Sequence, residues 1–217
     1  MSAPPATRPT SLIVPIRSLG PGHRDRIRTH LLALEGEDRY LRFGYAANDE
    51  QINRYVDGLD FERDEIFGIY NRRLELIAMA HLAFSHGAHA GTAEFGVSVL
   101  RKARGRGYGS RLFERAVMHA RNEGVDVLYI HALTENTAML RIAAKAGAVL
   151  EREGSETEAH LRLPPATLDS RVSELVEEQL AQTDYRLKVQ AKGWADFLAG
   201  LQEVRQGVRD SRGKSGR

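Results

Sequence analysis

Hydrophobic residues alternate with polar ones, or recur every three to four positions, over most of the chain, and these two periods predict strands and helices respectively. Alternating or continuous apolar runs predict strands at residues 12–16, 65–70, 74–84, 94–99, 125–133, 148–152 and 159–163. The helical period predicts helices over residues 22–34, 48–59, 110–120 and 137–146. The resulting order, β-α-α-β-β-β-α-β-α-β-β, predicts an α/β (α+β) fold.

The pattern changes after Pro164-Pro165, where residues 168–206 become polar and charged with a sparse apolar stripe. Steps of three and four predict an amphipathic helix, which could break near Thr183-Asp184 or at Gly193. The stripe has to be buried on its own domain, on a second copy of the chain or on a partner, and homodimerisation is the leading hypothesis. It consists of Leu168, Val172, Leu175, Val176, Leu180, Leu187, Ala191, Trp194, Phe197, Leu198, Leu201 and Val204.

These patterns divide the chain into four parts. Residues 1–10, rich in proline and alanine, are predicted to be a disordered leader rather than a signal peptide. Residues 11–165 form the globular domain, and residues 166–207 form the amphipathic helical extension. Residues 208–217 are predicted to be a basic, disordered tail.

Composition narrows the function classes. A chain of 217 residues with 42% hydrophobic content suits one domain with an extension. The chain has no cysteine, which excludes disulfides, a thiol nucleophile and cysteine-based metal sites and fits a cytoplasmic protein. The net charge is only +2 although the isoelectric point is near 9.0, so nucleic acid is not an expected partner. No apolar run reaches membrane-spanning length, so no membrane association is expected.

The stretch from Glu94 to Gly109 carries the strongest chemical signal. An alternating strand runs into a basic, glycine-rich turn, and a helix follows from Ser110. The free N–H groups and the dipole of a helix start bind anions, and glycines let a ligand approach the main chain. The expected ligand carries several phosphate charges, because four basic residues surround the turn. They are Arg101, Lys102, Arg104 and Arg106.

The spacing of this turn excludes two common phosphate-binding loops. A P-loop needs a lysine and then a serine or threonine directly after its last glycine, whereas Tyr108-Gly109-Ser110 follows Gly107 here. A dinucleotide fingerprint needs G-x-G-x-x-G, and the glycines at 105, 107 and 109 fall one residue short of it.

What remains, Arg104-x-x-Gly107-x-Gly109 after an apolar strand, resembles the pyrophosphate loop of the GNAT acyltransferase superfamily. A second match lies downstream, where Asn136 opens a helix that Gly147 closes. The resemblance covers about residues 12–163. It implies a mixed, mostly antiparallel central sheet flanked by helices, with acetyl-CoA or another acyl-CoA as cosubstrate and no metal. It also implies these cofactor-binding residues: Val97, Val99, Arg104, Gly105, Arg106, Gly107, Tyr108, Gly109, Ser110 and Asn136.

Two positions depart from the family pattern. Many GNAT enzymes carry a tyrosine in the last helix of the domain that protonates the departing CoA thiolate, and the corresponding residue here is Ala143. The phenylalanine that commonly follows the closing glycine is Ala148. Either another group protonates the thiolate, or the thiolate leaves unprotonated, or the activity is weak.

A shorter similarity lies between the first two predicted helices. The segment from Glu37 to Phe43 contains Tyr-x-Arg-Phe and is similar to a segment of bacterial protein-lysine acetyltransferases. The alternative is an aromatic pair that packs the connection between the helices.

Transfer to an amine requires a base, because a protonated amine is not nucleophilic. Glu94 is the best candidate, since it alternates with Phe95 and Val97 and so shares a strand face with Gly96 and Ser98, which leave room for a substrate. Several GNAT members place a base carboxylate at this position. The alternative is a glutamate on a solvated strand face.

Histidines are the other candidates that titrate near neutral pH. His131 could act as the base or replace the missing acid, and Tyr129 is a weaker candidate for proton donor. A metal site formed by His81, His86 and His89 is conceivable, but no carboxylate supports it in the sequence.

The resemblance thus implies an N-acetyltransferase that uses acetyl-CoA and general-base assistance. The acceptor stays open between small-molecule amines and protein lysines, because a fold does not fix a substrate. Two alternatives remain: a non-catalytic acyl-CoA-binding or regulatory module, which the missing tyrosine favours, and a scaffold in which the C-terminal helix is the main functional element.

Overall fold

The computed structural model describes residues 14–214, and it describes side chains from residue 14 to residue 193 except Ala88. The predicted leader, residues 1–10, lies outside this range. The described elements are, in chain order, β1 (Arg17–Ser18), α1 (Arg24–Leu32), α2 (Gly36–Phe43), α3 (Asp49–Asp57), β2 (Glu65–Tyr70), β3 (Leu76–Phe84), β4 (Thr92–Val99), α4 (Tyr108–Asn122), β5 (Val127–Leu133), α5 (Thr137–Lys145), β6 (Val149–Glu153), β7 (Glu156–Arg162) and α6 (Leu168–Lys214). Among these residues, no helix is both long enough and apolar enough to cross a membrane.

All seven strands join one sheet in the order β1-β2-β3-β4-β5-β7-β6. Every neighbouring pair is antiparallel except β4 and β5, which run parallel. The sheet confirms the predicted mixed, mostly antiparallel architecture.

Helices cover both faces of the sheet, and each face buries its own core. One core joins α4 and α5 to the central strands and includes Phe95 and Leu112. The other joins α1 and α3 to the opposite face and includes Ile27 and Ile52. Period-two alternation divides each central strand between the two cores, so polar residues of β3 and β4 that share a face meet the helices α1–α3.

Several predicted boundaries were wrong by a few residues. The first described strand is Arg17–Ser18, and residues 14–16 of the predicted strand at 12–16 precede it, while residues 12 and 13 lie outside the described part of the chain. Strand β3 begins at Leu76 rather than at Leu74, because Leu74 has a φ of 60° within the preceding turn. Helix α4 begins at Tyr108, two residues before the predicted start.

Helix α2 was not predicted, since the sequence analysis treated this segment as a connection. It follows Glu35 and ends at Gly44, which has the left-handed φ of +79° that glycine adopts without strain. Helix α3 begins where it was expected. The Asn48 side chain accepts a hydrogen bond from the Gln51 main-chain N–H, and the Gln51 side chain accepts one from the Asn48 main-chain N–H.

The C-terminal extension is one continuous helix, α6, from Leu168 to Lys214. It runs without interruption through Thr183-Asp184 and Gly193, so the possible breaks do not occur. It also includes residues 208–214, which the sequence analysis assigned to the tail.

Helix α6 packs on its own domain through a polar face. Arg115 of α4 is buried, and its guanidinium lies 2.6 Å from Glu174 and 3.4 Å from Glu178 of α6. Further along, the Tyr185 ring packs edge-on against Tyr70, with 5.2 Å between ring centroids. Because a buried guanidinium is costly without a carboxylate partner, this contact requires the charged face of α6 to point inward.

The carboxylate of Glu174 is the centre of this contact. Burial alone would raise its pKa, but hydrogen bonds from His119, Asn122 and Arg115 outweigh burial and lower the pKa of Glu174 to about 2. The group is therefore ionised at neutral pH, as the pairing with Arg115 requires.

The apolar stripe of α6 faces away from the domain. Six of its residues are between 45% and 84% exposed: Leu168, Val172, Leu175, Val176, Leu180 and Leu187. Packing of the stripe on its own domain is thus contradicted for these residues, because the polar face makes that contact instead. The part of the stripe from Trp194 to Val204 lies beyond the described side chains.

Candidate active site

A wedge-shaped cleft opens where β4 and β5 separate. The two strands are paired from Thr92 and Val127 as far as Glu94 and Tyr129. Beyond this point β4 continues to Val99 and β5 to Leu133 without pairing to each other. The cleft between them has a volume of about 990 Å³. Its position leaves main-chain groups of residues 95–99 available to a ligand.

The glycine-rich turn forms one wall of this cleft. Gly105 and Gly107 have φ values of 75° and 74°, the left-handed region that favours glycine. Gly107 precedes the first residue of α4, and the first helical hydrogen bond runs from the Arg111 N–H to the Gly107 carbonyl. The N–H groups of residues 108–110 therefore have no partner within the helix, and no acidic residue lies in the first turn. This is the geometry of an anion site.

Most of the predicted cofactor-binding residues line this cleft. They are Val97, Val99, Arg104, Gly105, Gly107, Tyr108, Gly109, Ser110 and Asn136. Arg106 is exposed in the turn and lies outside the lining.

Three of the four basic residues around the turn are already paired with carboxylates, which the sequence did not indicate. Arg101 lies 2.6 Å from Glu35, and Lys102 lies 2.8 Å from Glu75. Arg104, the first residue of the motif, pairs with Asp38 of α2. A phosphate ligand at Arg104 therefore has to compete with, or displace, the carboxylate of Asp38.

Asn136, in the second sequence motif, is linked to helix α2. Its side-chain oxygen accepts a hydrogen bond from the Met139 main chain, as a helix N-cap does. Its amide nitrogen donates to the Leu41 carbonyl of α2 at 3.3 Å. Helix α2 thus contacts both sequence motifs. Gly147, which has a φ of 87°, follows the end of the helix that Asn136 opens.

Glu94 and His131 both line the cleft, on the face of the sheet shared with Tyr129. Glu94 is exposed, and its carboxylate makes no hydrogen bond or ion pair within residues 14–193. The His131 ring stacks on Tyr129 with 6.4 Å between centroids, and its Nδ1 lies 3.6 Å from Glu158. Either side chain can accept a proton from a ligand in the cleft.

The wall opposite α2 is acidic. Two cross-strand pairs of β6 and β7 place like charges directly opposite each other, Glu151 with Glu158 and Glu153 with Glu156. All four residues line the cleft. Such pairs are unfavourable for the sheet itself, and they give this wall a negative potential.

A buried serine–histidine pair lies beneath the cleft. The Leu76 carbonyl accepts a hydrogen bond from His30 Nδ1, so Nε2 is left to accept one from the Ser98 hydroxyl. Burial lowers the pKa of His30 to about 4, although the bond to Leu76 opposes this shift. His30 is therefore neutral at pH 7 and holds α1 against β4.

A second polar chain reaches the cleft from the neighbouring strand. His81 bonds to Asp64 through Nε2 and to Tyr55 through Nδ1, and the Arg42 guanidinium donates to the Tyr55 hydroxyl. Sequence reasoning had considered His81 for a metal site with His86 and His89. No group of three or more histidine, aspartate and glutamate residues in the described part of the chain is placed to hold a metal ion.

Sequence reasoning missed His30, Tyr55 and Asp64 and treated Arg42 only as part of an aromatic segment. No local motif marks these residues, because the polar chain joins positions 13, 26 and 17 residues apart. Ala143, in the place of the usual family tyrosine, is fully buried and offers no proton donor.

The fold agrees with comparisons to known proteins. A family model for the acetyltransferase (GNAT) family matches residues 30–148, more than half of the 217 residues. No curated protein sequence is significantly similar to the chain. The GNAT domain of PAT from S. lividans has a TM-score of 0.58 at 22% identity, over 68% of this chain and 89% of that domain.

Two further solved structures share the fold at lower identity. A ribosomal-protein-alanine N-acetyltransferase from Brucella melitensis has a TM-score of 0.55 at 14% identity, over 68% of this chain and 99% of that one. A spermidine N-acetyltransferase from Vibrio cholerae, in complex with CoA and spermine, has a TM-score of 0.54 at 17% identity, over 68% and 94%. From the family match, supported by the common fold, the chain belongs to the GNAT acetyltransferase family.

Proposed function

We propose that the protein is an N-acetyltransferase that transfers an acetyl group from acetyl-CoA to a primary amine by direct attack. The observation that carries this proposal is one cleft that joins the anion-binding start of α4 to an exposed carboxylate, Glu94. A site that holds acyl-CoA and an amine together gains much of its rate from positioning alone.

In the proposed reaction, the phosphates of acetyl-CoA lie at residues 104–110 and the thioester lies along the unpaired part of β4. The ammonium group of the acceptor gives a proton to Glu94, directly or through water. The amine nitrogen then bonds to the thioester carbon, and a main-chain N–H near Val99 stabilises the oxyanion. The carbon–sulfur bond breaks, and CoA leaves as a thiolate. The nitrogen loses its second proton to water or to His131, and the thiolate takes a proton from solvent or from the resulting imidazolium, while Glu94 returns its proton to solvent.

The acceptor is a small-molecule amine or a protein lysine. Neighbours of similar fold include the GNAT domain of PAT and a spermidine N-acetyltransferase. Their identity to this chain is too low to choose between these classes. The cytoplasmic location expected from the cysteine-free sequence stays a prediction.

The competing function is an acyl-CoA-binding or regulatory module without turnover, which the absence of a donor at Ala143 favours. Release of CoA from acetyl-CoA, measured over a panel of amines and lysine peptides, separates the two. An enzyme releases CoA only with its acceptors. A module binds acetyl-CoA in calorimetry and releases none with any amine, which would contradict the proposal.

We further propose that α6 pairs with the α6 of a second copy of the chain. The helix has 47 residues and so is about 70 Å long, and its described apolar stripe is exposed. The carboxylates of Glu174 and Glu178 are already paired with Arg115 of the same chain, so the apolar stripe is the face that α6 offers to a second copy.

Light scattering and cross-linking test this pairing. Leu180→Asp, on the stripe, should convert a dimer to a monomer, whereas Arg171→Asp, an exposed position off the stripe, should not. Because the chain has no cysteine, single cysteines report the direction: Ala191→Cys, near the helix centre, should form a disulfide-linked dimer in either direction, whereas Gln179→Cys should form one only in a parallel pair. A wild type that is monomeric at micromolar concentration would rule the pairing out.

A further inference from the structure

Arg42 occupies an unusual position at the acceptor end of the cleft. Its guanidinium lies directly over Gly96 of β4, where a Cβ atom would come within 2.7 Å of the guanidinium carbon. Any other residue at position 96 would displace this side chain. Glycine at this point is therefore required by the arginine rather than by the strand.

The arginine is held by a directed chain of hydrogen bonds. The Asp64 carboxylate can only accept, so the neutral ring of His81 carries its proton on Nε2 and accepts at Nδ1. The Tyr55 hydroxyl donates to that nitrogen at 2.7 Å, which leaves its oxygen to accept from Arg42 at 2.9 Å. The rings of Phe43 and Tyr55 flank the guanidinium at 5.2 and 5.6 Å.

This arrangement fixes the guanidinium but does not neutralise it. No carboxylate oxygen lies within 4.0 Å of Arg42 among residues 14–193. The Tyr55 hydroxyl accepts from one of the five N–H donors of Arg42, and the Arg42 side chain lines the cleft. A pre-organised arginine with spare donors binds carboxylates with high geometric specificity.

The charges around Arg42 separate along the cleft. Glu94 lies two residues from Gly96 on the same strand face, about 7 Å away. The opposite wall carries Glu151, Glu153, Glu156 and Glu158. The four glutamates of the opposite wall outnumber its one lining arginine, Arg152, so a negative ligand group is attracted mainly to Arg42 and a positive group to Glu94 and the acidic wall.

We propose that Arg42 binds a carboxylate of the substrate, and that the acceptor is an amine carrying a carboxylate, as amino acids do. The inference rests on the proposed acetyl transfer and makes Arg42 a binding residue, with Tyr55, His81 and Asp64 as positioning residues. A carboxylate on the acyl chain of a dicarboxylic acyl-CoA has the same chemistry and could reach the same guanidinium.

Matched substrates test the proposal in the full-length protein. Each amino acid of a panel is compared with its carboxamide, using acetyl-CoA as donor and CoA release as the measurement. For the true acceptor class, kcat/KM for the acid should exceed that for the amide by about 10- to 100-fold, as a charged hydrogen-bonded contact provides. A second arm compares succinyl-CoA with acetyl-CoA on one uncharged amine and identifies a donor-side carboxylate by the same preference.

Variants then assign the preference to Arg42. In Arg42→Gln the acid-to-amide ratio should fall toward one, mainly through KM for the acid, and Arg42→Lys should keep part of it. Tyr55→Phe keeps the charge of Arg42 but removes its hydrogen bond to Tyr55, so it should lower the acid-to-amide ratio less than Arg42→Gln does. Acetyl-CoA binding measured by calorimetry confirms that each variant is folded.

The outcomes separate this inference from the proposed function. Turnover of amines with no carboxylate preference in either arm, or a preference that survives in Arg42→Gln, would overturn the role of Arg42 and leave the transferase intact. Absence of turnover with every acceptor would overturn the transferase and the inference together.

Discussion

The two halves of the cleft are built in different ways. The cofactor half is one continuous segment, residues 97–110, which offers main-chain N–H groups and glycines with left-handed φ. The acceptor half is assembled from side chains of β3, β4, α1, α2 and α3 that meet only in the folded protein. The first half depends on local backbone geometry, and the second depends on buried polar side chains, so each should fail under different changes.

The largest effect is expected for the acceptor half, at Glu94. Glu94→Gln removes the proposed base and should lower kcat by roughly 10²- to 10⁴-fold, with the Kd of acetyl-CoA unchanged. Steady-state kinetics and calorimetry measure the two quantities, and the acidic limb of the pH–rate profile should flatten. Glu151→Gln, on the opposite wall, is the matched control. An unchanged rate in Glu94→Gln would move the role to His131 or to an ordered water.

An acid-sensitivity test sharpens the comparison, because His30 holds the acceptor half together as a neutral group. Its pKa is about 4 in the folded protein, below the usual 6.5, because it is buried. Between pH 6.5 and pH 4 this histidine is protonated in the unfolded chain but neutral in the folded protein. The free energy of unfolding should therefore fall as the pH drops, by roughly 3 kcal/mol at pH 4.

Urea unfolding between pH 7 and pH 4 measures this loss. Burial also lowers the pKa values of His23 and His81, so the contribution of His30 is the difference between the wild type and His30→Gln. Equal pH dependence in both proteins would show that His30 is not the sensitive group.

The cofactor half should respond most clearly to charge at Gly107. Asparagine and aspartate tolerate its φ of +74° better than other side chains, and no atom lies within 4 Å of the added Cβ. Gly107→Asp should therefore weaken acetyl-CoA binding by about 10- to 100-fold more than Gly107→Asn, because only the aspartate repels the phosphates. Calorimetry on the two variants decides it, and equal affinities would refute the phosphate assignment.

The same contrast explains what the sequence could predict. The glycine turn, Asn136 and the strand alternation of β4 are local signals, and the structure places them around one cleft. The polar chain through Tyr55 and His81 gives no such signal, since its members lie on different elements and each alone is typical of a packed core. Helix α2 was missed because it has only eight residues, none of which is buried. Its apolar residues form too short a pattern to predict a helix.

Helix α6 shows a different limit of sequence patterns. Its apolar stripe correctly predicts a helix, but periodicity alone leaves open whether that stripe faces the domain, a second copy or a partner. The domain instead presents a buried arginine, Arg115, which would be an uncompensated buried charge without the carboxylates of the opposite face of α6. Only knowledge of the surface that receives the helix reveals which face turns inward.

Helix α2 contacts both halves of the cleft within a few residues. Asp38 pairs with Arg104 of the cofactor turn, Leu41 receives the hydrogen bond from Asn136, and Arg42 faces the acceptor. A ligand that draws Arg104 away from Asp38 releases one end of the helix that carries Arg42. Acetyl-CoA should therefore change the affinity for the acceptor, and linkage requires the acceptor to change the affinity for acetyl-CoA by the same factor. The coupling between the two substrates would then pass through an eight-residue helix.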